Sequence, residues 1–457
     1  MLRSLGGHVA ALAALAGVAW LPFAGRTLSP DEGGLLMVAG QWSDGSSTYG
    51  DYFVDRPPLL IGLVAVADAA GGSPWALRAL GVVAVVATVV LAGAVGKAAG
   101  ASPVLPALTA ALLVANPLFG ATVVNAEILS LPFVLGGCAA ALQVTRVERG
   151  LRWALLAGAL GAGAALVKQN VIDVFVFAAV LLVLRRRWSA LVAVAAGALA
   201  AVAVALALAS WRGTAPTELW EAVVVFRAEA AEVIAASATE TTDARFVSML
   251  LALVTSIAPA LAIALTARAR RSSLLWPALA LLTWELVSVF AGGSYWLHYL
   301  MALVPGLVLL AAAAVGLDRF TRAAYLFAAT STVLALATML VNPTDRPEEP
   351  AIDWLARHAA EGDSAVVGFG APNILRETGL TSPYPDLWSL PVRVRDPDLQ
   401  ALTALLASPE RPRWVIVVGE SLQTWGVDAT AADRVLAEHY EPATTAGEWT
   451  IYRSDGR

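Results

Sequence analysis

Two adjacent carboxylates, Asp31 and Glu32, follow the first apolar stretch of the chain. Ser29 and Pro30 stand directly before them, a pair typical of a helix start, so both carboxylates are expected in a first helical turn. The structural interpretation is a favourable interaction with the helix dipole. The catalytic interpretation is a general base or a metal ligand, because an ionised carboxylate can accept a proton or bind a cation.

A second candidate group is the sequence Asp55-Arg56-Pro57-Pro58. Pro58 favours an extended conformation at Pro57, so the sequence predicts a fixed place for the Arg56 guanidinium. The guanidinium presents a planar fork of donors that fits a phosphate group. Two uses remain open for Arg56: contact with lipid phosphate at a membrane surface, or recognition of one specific phosphate.

Polar side chains also interrupt several otherwise apolar segments further along the chain. A charge at the middle of a bilayer costs about 2.5–3.5 kcal/mol, so such residues need water or a partner. Each has a structural alternative: a helix cap, a plain turn, an aromatic belt or, for Glu285, an ion pair with Lys168 or Arg227. The candidates are Asn125, Glu127, Lys168, Gln169, Glu285, His298 and Tyr299.

Composition predicts the kind of protein that positions these residues. The chain of 457 residues is 58% hydrophobic and 14% charged, with a mean hydropathy of +0.70. A soluble protein is usually about half apolar and a quarter charged, so a soluble enzyme and a disordered chain are excluded. The net charge of -5 argues against a nucleic-acid partner, and the single cysteine, Cys138, excludes disulfides and cysteine-based metal sites.

Hydropathy predicts a polytopic α-helical membrane protein with about eleven transmembrane helices, since a helix needs ~20 apolar residues to cross a bilayer. The apolar piece 57–72 is shorter and is predicted to lie at the interface, as is an amphipathic helix within 213–245 that carries Arg227 on its polar side. The predicted spans are residues 8–25, 76–96, 103–122, 128–145, 152–168, 170–184, 188–211, 246–266, 273–292, 296–316 and 323–341.

The positive charges predict the orientation of these spans. With the N-terminus in the cytoplasm, most of the basic residues of the membrane part fall in short inner loops, as the positive-inside rule requires. The candidate polar residues then lie at the external face of the plasma (inner) membrane. The inner basic residues are Arg3, Lys97, Arg146, Arg149, Arg152, Arg185, Arg186, Arg187, Arg268, Arg270, Arg271, Arg319 and Arg322.

The composition changes after Asn342-Pro343, where a second domain is predicted. Residues 345–457 hold 18 of the 35 acidic residues. Short apolar runs at 365–369, 414–418 and 449–452 predict strands, and patterns at 351–360, 397–407 and 430–440 predict helices. The predicted organisation is a transmembrane catalytic domain, 1–342, with outer loops 26–75 and 212–245, and a small extracytoplasmic α/β domain, 343–457.

The order of these motifs resembles that of the GT-C membrane glycosyltransferases, above all the bacterial relatives of protein O-mannosyltransferases and the lipid A aminoarabinose transferase. The resemblance covers about residues 1–340 by layout, and the C-terminal domain by type. The motifs that carry it are Asp31-Glu32, the Arg-Pro-Pro-Leu of Arg56 to Leu59, Asn125-x-Glu127, Lys168-Gln169 and His298-Tyr299.

The resemblance implies a sugar donor linked to polyprenyl phosphate. It matches Asp31 to the catalytic acidic residue of the first outer loop, and Arg56 to the basic residue near the donor phosphate. The aminoarabinose transferase pattern has Lys where this chain has Arg56. A divalent metal ion is left open, because the family's metal-binding residues do not align clearly with this sequence.

The predicted reaction is transfer of a hexosyl or pentosyl unit to an acceptor hydroxyl, with inversion at the anomeric carbon. Asp31, with Glu32 beside it, takes the proton of the hydroxyl. Cationic and polar side chains hold the charge of the phosphate leaving group, for which Arg56, Lys168, His298 and Tyr299 are the candidates. Further predicted cavity residues are Asp55, Asn125, Glu127, Gln169, Arg227 and Glu285.

The acceptor is left open among protein, lipid and glycan. Membrane lipid is expected as a separate partner. One alternative function is a membrane transporter or lipid flippase that uses Glu285 and Lys168 as an intramembrane relay. It requires polar residues along a path to both faces, whereas the inner side shows mainly arginine-rich turns. A non-catalytic membrane scaffold is the third hypothesis.

Overall fold

The computed structural model describes residues 2–42, 47–147, 150–236 and 240–455. Arg149 and parts of the predicted outer loops 26–75 and 212–245 lie outside these residues. The chain divides into two compact units. Unit 1 comprises Met1–Gly25, Arg78–Leu206 and Ala238–Pro343, and unit 2 comprises Arg26–Leu77, Ala207–Ser237 and Thr344–Arg457. The predicted boundary between residues 342 and 343 stays a prediction.

The described residues up to 343 are mostly helical. A π-helical turn, Glu221–Val225, joins two of the helices, and a 3-10 segment, Leu297–Leu303, leads into another. The helices are α1 (Leu2–Trp20), α2 (Pro30–Gly40), α3 (Pro58–Ala69), α4 (Pro74–Ala99), α5 (Val104–Val114), α6 (Ala126–Val144), α7 (Leu151–Val167), α8 (Asp173–Leu184), α9 (Trp188–Trp211), α10 (Pro216–Trp220), α11 (Phe226–Ala235), α12 (Glu240–Thr255), α13 (Ala258–Ala269), α14 (Leu275–Ala291), α15 (Val304–Ala313) and α16 (Arg319–Val341).

The apolar helices identify a multi-pass membrane protein. Within the described residues, five helices are long and apolar enough to cross a membrane, namely α1, α4, α6, α9 and α16. The pair α12 and α13 passes the same test together but is bent by 49°. Each predicted span coincides with one of these helices or with a shorter apolar helix, and the count of eleven stays a prediction. The predicted interfacial piece 57–72 contains α3.

Local chemistry explains the break between α12 and α13. Ile257 adopts a left-handed conformation with φ of 65°, and Pro259 follows in the first turn of α13. Proline has no backbone N–H to continue the hydrogen bonds of the preceding helix, so one continuous span is interrupted here. The resulting bend accounts for the two shorter helices where the sequence predicts a single span, 246–266.

Close packing inside unit 1 depends on glycine at two facing positions. A Cβ atom on Gly158 of α7 would lie within 3.0 Å of the Val194 carbonyl oxygen of α9. A Cβ atom on Gly197 of α9 would lie equally close to the Leu155 carbonyl oxygen of α7. Small residues let membrane helices approach to backbone contact, where dispersion forces replace the missing hydrophobic drive between helices.

Unit 2 contains the predicted small α/β fold. Its sheet has the order β1-β2-β4-β3, with β1 parallel to β2 and the other pairs antiparallel. The core between sheet and helices includes Val366, Leu402, Val415 and Leu436. The elements are α17 (Glu349–His358), β1 (Ala365–Val367), α18 (Pro372–Thr378), α19 (Ser389–Arg395), α20 (Gln400–Ala407), β2 (Trp414–Val418), α21 (Thr430–His439), β3 (Tyr440–Ala446) and β4 (Trp449–Ser454).

The three predicted strands and three predicted helices of this domain are confirmed within a few residues. The sequence did not predict β3, α18 or α19. Strand β3 is an edge strand that contains Pro442 and mostly exposed side chains, so it lacks the apolar run of a buried strand. Helices α18 and α19 have seven residues each, too short for a clear helical period.

Candidate functional site

The predicted helix start at Asp31 and Glu32 is confirmed, and the two carboxylates have different environments. The Ser29 hydroxyl accepts a hydrogen bond from the Glu32 N–H at 3.3 Å, and the Glu32 carboxylate accepts one from the Ser29 N–H at 2.9 Å. The two bonds form a capping box, and Glu32 is completely buried, with 0% exposure. Asp31 is exposed, so it is the carboxylate of this turn that can meet a substrate.

Asp55 lies between two arginines. Its carboxylate is 3.1 Å from Arg56 Nη1 and 2.7 Å from Arg227 Nη1. The side chains of Arg56 and Arg227 are 34% and 35% exposed, whereas that of Asp55 is 10% exposed. The buried carboxylate therefore holds two guanidinium groups that both keep an exposed part. We call these three residues the Asp55 cluster.

The charges of the Asp55 cluster change the pKa of its carboxyl group. Burial by itself would raise the pKa of Asp55. The guanidinium groups of Arg56 and Arg227 outweigh burial and hold that pKa below its ordinary value. Asp55 is therefore ionised at neutral pH, and the cluster, with two arginines and one carboxylate, has a net positive charge.

An aromatic group accompanies the Asp55 cluster in unit 2. The Phe53 ring lies 4.9 Å from the Phe226 ring, and Arg395 of α19 lies over the Phe53 ring at 4.1 Å. Arg395 also forms an ion pair of 2.7 Å with the buried carboxylate of Asp386. Sequence reasoning missed Arg395, since it stands in a segment without a motif and reaches Phe53 only through the fold.

Unit 1 contains a second charged group, the Glu127 cluster. Glu127 is buried in the first turn of α6, where Asn125 caps the helix by accepting a hydrogen bond from the Ile128 N–H at 3.0 Å. Lys168 donates to the Glu127 carboxylate, and His298 Nε2 lies 3.8 Å from it. The Lys168 ammonium also lies over the Tyr299 ring at 4.4 Å. Glu127, Lys168, His298 and Tyr299 make up the cluster.

A glycine allows His298 to reach this position. Gly120 has a φ of +71°, and a Cβ atom there would lie within 3.0 Å of the backbone of His298. Gln169 follows Lys168 in the turn between α7 and α8 and is half-buried. The structure thus brings four of the predicted candidates together in unit 1, with Asn125 and Gln169 beside them in the chain.

Glu285 is held by the backbone of a neighbouring helix. It is buried within α14, where its two carboxylate oxygens accept from the Gly306 N–H at 2.9 and 3.1 Å, and the Asp173 carboxylate lies near it. The structural alternative, an ion pair with Lys168 or Arg227, has no support, because Lys168 pairs with Glu127 and Arg227 pairs with Asp55. Sequence reasoning missed Asp173, which stands at the helix start after the polar turn.

The described residues do not by themselves form a metal site. Over this part of the chain, no three His, Cys, Asp or Glu side chains come together in a way that could hold a metal ion. Both clusters place arginine, lysine or histidine, rather than further carboxylates, around a single carboxylate. Such groups suit an anionic ligand better than a divalent cation.

These helices and the C-terminal domain have the fold of the GT-C membrane glycosyltransferases, so the predicted resemblance is confirmed at the level of fold. Neither a protein-family model nor a curated protein matches the sequence. The likeness is therefore a likeness of structure.

The ArnT of Cupriavidus metallidurans is similar over its whole length. In the apo state its TM-score is 0.66 at 14% identity, over 99% of both chains. The same enzyme bound to undecaprenyl phosphate gives 0.64 at 16% identity, over 98% of both chains. The Archaeoglobus fulgidus oligosaccharyltransferase in complex with Zn and sulfate gives 0.54 at 13% identity, over 97% of this chain and 73% of the other. At these identities the likeness defines the fold.

Proposed function

We propose that this chain transfers a hexosyl or pentosyl unit from a polyprenyl-phosphate donor to an acceptor hydroxyl. One similar structure contains undecaprenyl phosphate, which supports a donor of this class. The observation that carries the proposal is the Asp55 cluster, in which a buried carboxylate holds two partly exposed arginines. The transport alternative has weaker support, since its two relay residues, Lys168 and Glu285, have different partners.

The leaving group needs cations rather than an acid. When the bond between the anomeric carbon and the phosphate oxygen breaks, the electron pair stays on the phosphate. Guanidinium groups stabilise this charge through planar, charge-assisted hydrogen bonds. In the proposed reaction Arg56 and Arg227 hold the phosphate. Lys168, His298 and Tyr299 belong to the Glu127 cluster of unit 1, where the Lys168 ammonium is already paired with Glu127, and no step is assigned to them.

The acceptor hydroxyl is a poor nucleophile and needs a base. Asp31 takes its proton as the hydroxyl oxygen forms the new bond to the anomeric carbon, and attack opposite the leaving phosphate inverts the configuration. The Glu32 carboxylate is used by the capping box, which leaves the exposed Asp31 as the base. No step is assigned to a metal ion, since the described residues bring together no ligand set for one.

The proposal retains the predicted topology. The N-terminus is cytoplasmic, the reaction takes place at the external face of the plasma membrane, and residues 343–457 form an extracytoplasmic domain. The acceptor is a hydroxyl of a protein, a lipid or a glycan. A lipid-linked donor explains why such a transferase is a multi-pass membrane protein.

Binding of a short-chain polyprenyl-phosphate sugar tests the phosphate site. Native mass spectrometry would compare the purified wild type with Arg56→Ala and Arg434→Ala. Arg434 is an exposed arginine of α21 and serves as a control for the loss of one positive charge. A hydrogen bond to a charged group is worth about 1.5–3 kcal/mol, so Arg56→Ala should weaken binding about 10- to 100-fold. Equal binding by all three proteins would contradict the proposal.

A further inference from the structure

The segment that carries Asp31 is held by the C-terminal part of unit 2. The Leu28 N–H donates to the Glu377 carboxylate at 2.8 Å, and the Asn373 side-chain amide donates to the Leu28 carbonyl oxygen at 3.0 Å. Leu28 and Asn373 are both buried, with 1% and 0% exposure. Both backbone groups of Leu28 are thus fixed by side chains of α18, three residues before Asp31.

On the other side of Asp31, helix α2 touches α18 at backbone distance. A Cβ atom on Gly33 would lie within 3.0 Å of the Asn373 Cα atom, and one on Gly34 would lie within 3.0 Å of the Trp388 ring. Any larger residue at these two positions would force the helices apart. The two glycines therefore allow α2 to pack closely against Asn373 and Trp388. We call Asn373, Glu377 and Trp388 the α2 anchor.

A general base depends strongly on its position. The base must come within about 2.6–3.2 Å of the oxygen whose proton it takes. A misplacement of about 1 Å can lower the rate about 100-fold. Asp31 is exposed, so its side chain is not held in place by burial. Its position follows from the backbone of α2, which the α2 anchor contacts before and after residue 31.

We propose that the C-terminal domain acts as a positioning element for the Asp31 carboxylate, through Asn373, Glu377 and Trp388. This inference rests on the proposed function, in which Asp31 is the base. It assigns a contribution to catalysis to residues of α18 and to Trp388, which contact α2 and the residue before its start. Asn373 is a positioning residue, since it contacts Leu28 and Gly33 rather than the substrate.

Turnover of a bound polyprenyl-phosphate sugar would be compared among three variants of the full chain. Asn373→Ala removes the bond to Leu28, and Gly33→Ala forces α2 away from α18. Gly40→Ala is the matched control, because it adds the same methyl group to α2 where the nearest atom is 3.5 Å away, an ordinary contact. We expect kcat to fall about 100-fold in the first two variants with donor KM within about twofold, and Gly40→Ala to retain wild-type values.

A double variant separates positioning from general damage to the fold. If Asn373 acts through Asp31, Asn373→Ala causes no further loss of kcat in an Asp31→Asn background. If the two losses multiply, Asn373 has only a structural role and the inference is wrong. Glu377→Gln, which keeps an accepting oxygen for the Leu28 N–H, provides a milder variant in case Asn373→Ala fails to fold.

Hydrogen exchange gives a readout that needs no substrate. Amides of residues 27–40 should exchange faster in Asn373→Ala than in Gly40→Ala. Faster exchange with unchanged kcat would overturn the positioning role while leaving the proposed function intact. Wild-type turnover by Asp31→Asn would instead overturn the proposed base and the inference together, so the two failures are distinguishable.

Discussion

The Asp55 and Glu127 clusters both surround one buried carboxylate with two basic side chains, yet they expose their charges differently. Arg56 and Arg227 are each about one-third exposed, whereas the Lys168 side chain is only 15% exposed. A guanidinium has five N–H donors in a planar fork, more than one carboxylate can use, whereas an ammonium has three. The Asp55 cluster therefore has the better chemistry for an added phosphate.

The difference in exposure indicates donor binding at the Asp55 cluster and stabilisation of the fold at the Glu127 cluster. In the Glu127 cluster the carboxylate and the ammonium neutralise each other. Glu127 lies in the first turn of α6, and Lys168 directly follows α7. Removal of one partner leaves a buried charge. In the Asp55 cluster both guanidinium groups keep about one-third of their side chain exposed. We therefore expect substitutions in unit 1 to affect stability first and substitutions in unit 2 to affect donor binding and catalysis first.

The largest expected effect is at Asp31. Loss of a general base lowers a rate by about 10²–10⁴-fold, so Asp31→Asn should lower kcat within that range. Donor affinity should stay within about twofold, because Asp31 acts on the acceptor. The measurement is turnover and donor binding on the same preparation. Glu32→Gln, which alters the cap, should instead lower the melting temperature.

The next effect concerns the stability of unit 1. Lys168→Met leaves the Glu127 charge buried without its ammonium partner, a change that costs about 3–5 kcal/mol in other buried pairs. The melting temperature in detergent should fall, and the double variant Glu127→Gln/Lys168→Met should recover most of the loss. The exposed Lys97, the other lysine of the chain, gives a matched control as Lys97→Met. Equal melting temperatures for Lys168→Met and Lys97→Met would remove the distinction between the clusters.

A smaller effect tests the guanidinium of Arg56. Arg56→Lys keeps the charge but loses the planar fork of donors. Donor affinity should fall by a factor of about 3–10, which is less than in Arg56→Ala. Titration of the two variants by native mass spectrometry compares them directly. If Arg56→Lys and Arg56→Ala bind donor equally weakly, the fork rather than the charge determines recognition, and full affinity in both would remove Arg56 from the site.

The smallest effect is a lack of pH dependence from Asp55. Its folded-state pKa is lowered, so its ionised form stabilises the cluster at every pH above the unfolded value of 3.8. This contribution is lost only as the pH falls through the lowered value. Donor affinity should therefore show no transition from Asp55 between about pH 5 and 8. A transition in that range that disappears in Asp55→Asn would contradict the assigned charge state.

Local sequence signals predicted part of this arrangement. Ser29-Pro30 predicted the turn that carries Asp31, and Lys168-Gln169 predicted a polar break between two apolar helices. Both features depend on neighbours within a few residues. The apolar runs at 365–369 and 414–418 predicted strands for the same reason.

Partners that are distant in the sequence could not be predicted in this way. Arg227 reaches Asp55 across 172 residues, and Asn373 reaches Leu28 across 345. Such pairs form only when whole elements pack, and one arginine in an amphipathic helix gives no signal of its partner. The Gly306 backbone could not be foreseen as the partner of Glu285 for this reason. Helix α18 was too short to be recognised, although it holds α2.

Conversion of the donor is the most direct test of the central claim. The purified full chain in lipid nanodiscs would be incubated with a polyprenyl-phosphate sugar and a mixture of protein, lipid and glycan acceptors, and the lipid carriers followed by mass spectrometry. The proposed function predicts that wild type releases free polyprenyl phosphate, while Asp31→Asn binds the donor and releases about 10²–10⁴-fold less. Donor that binds to both proteins and stays intact in both would contradict glycosyl transfer.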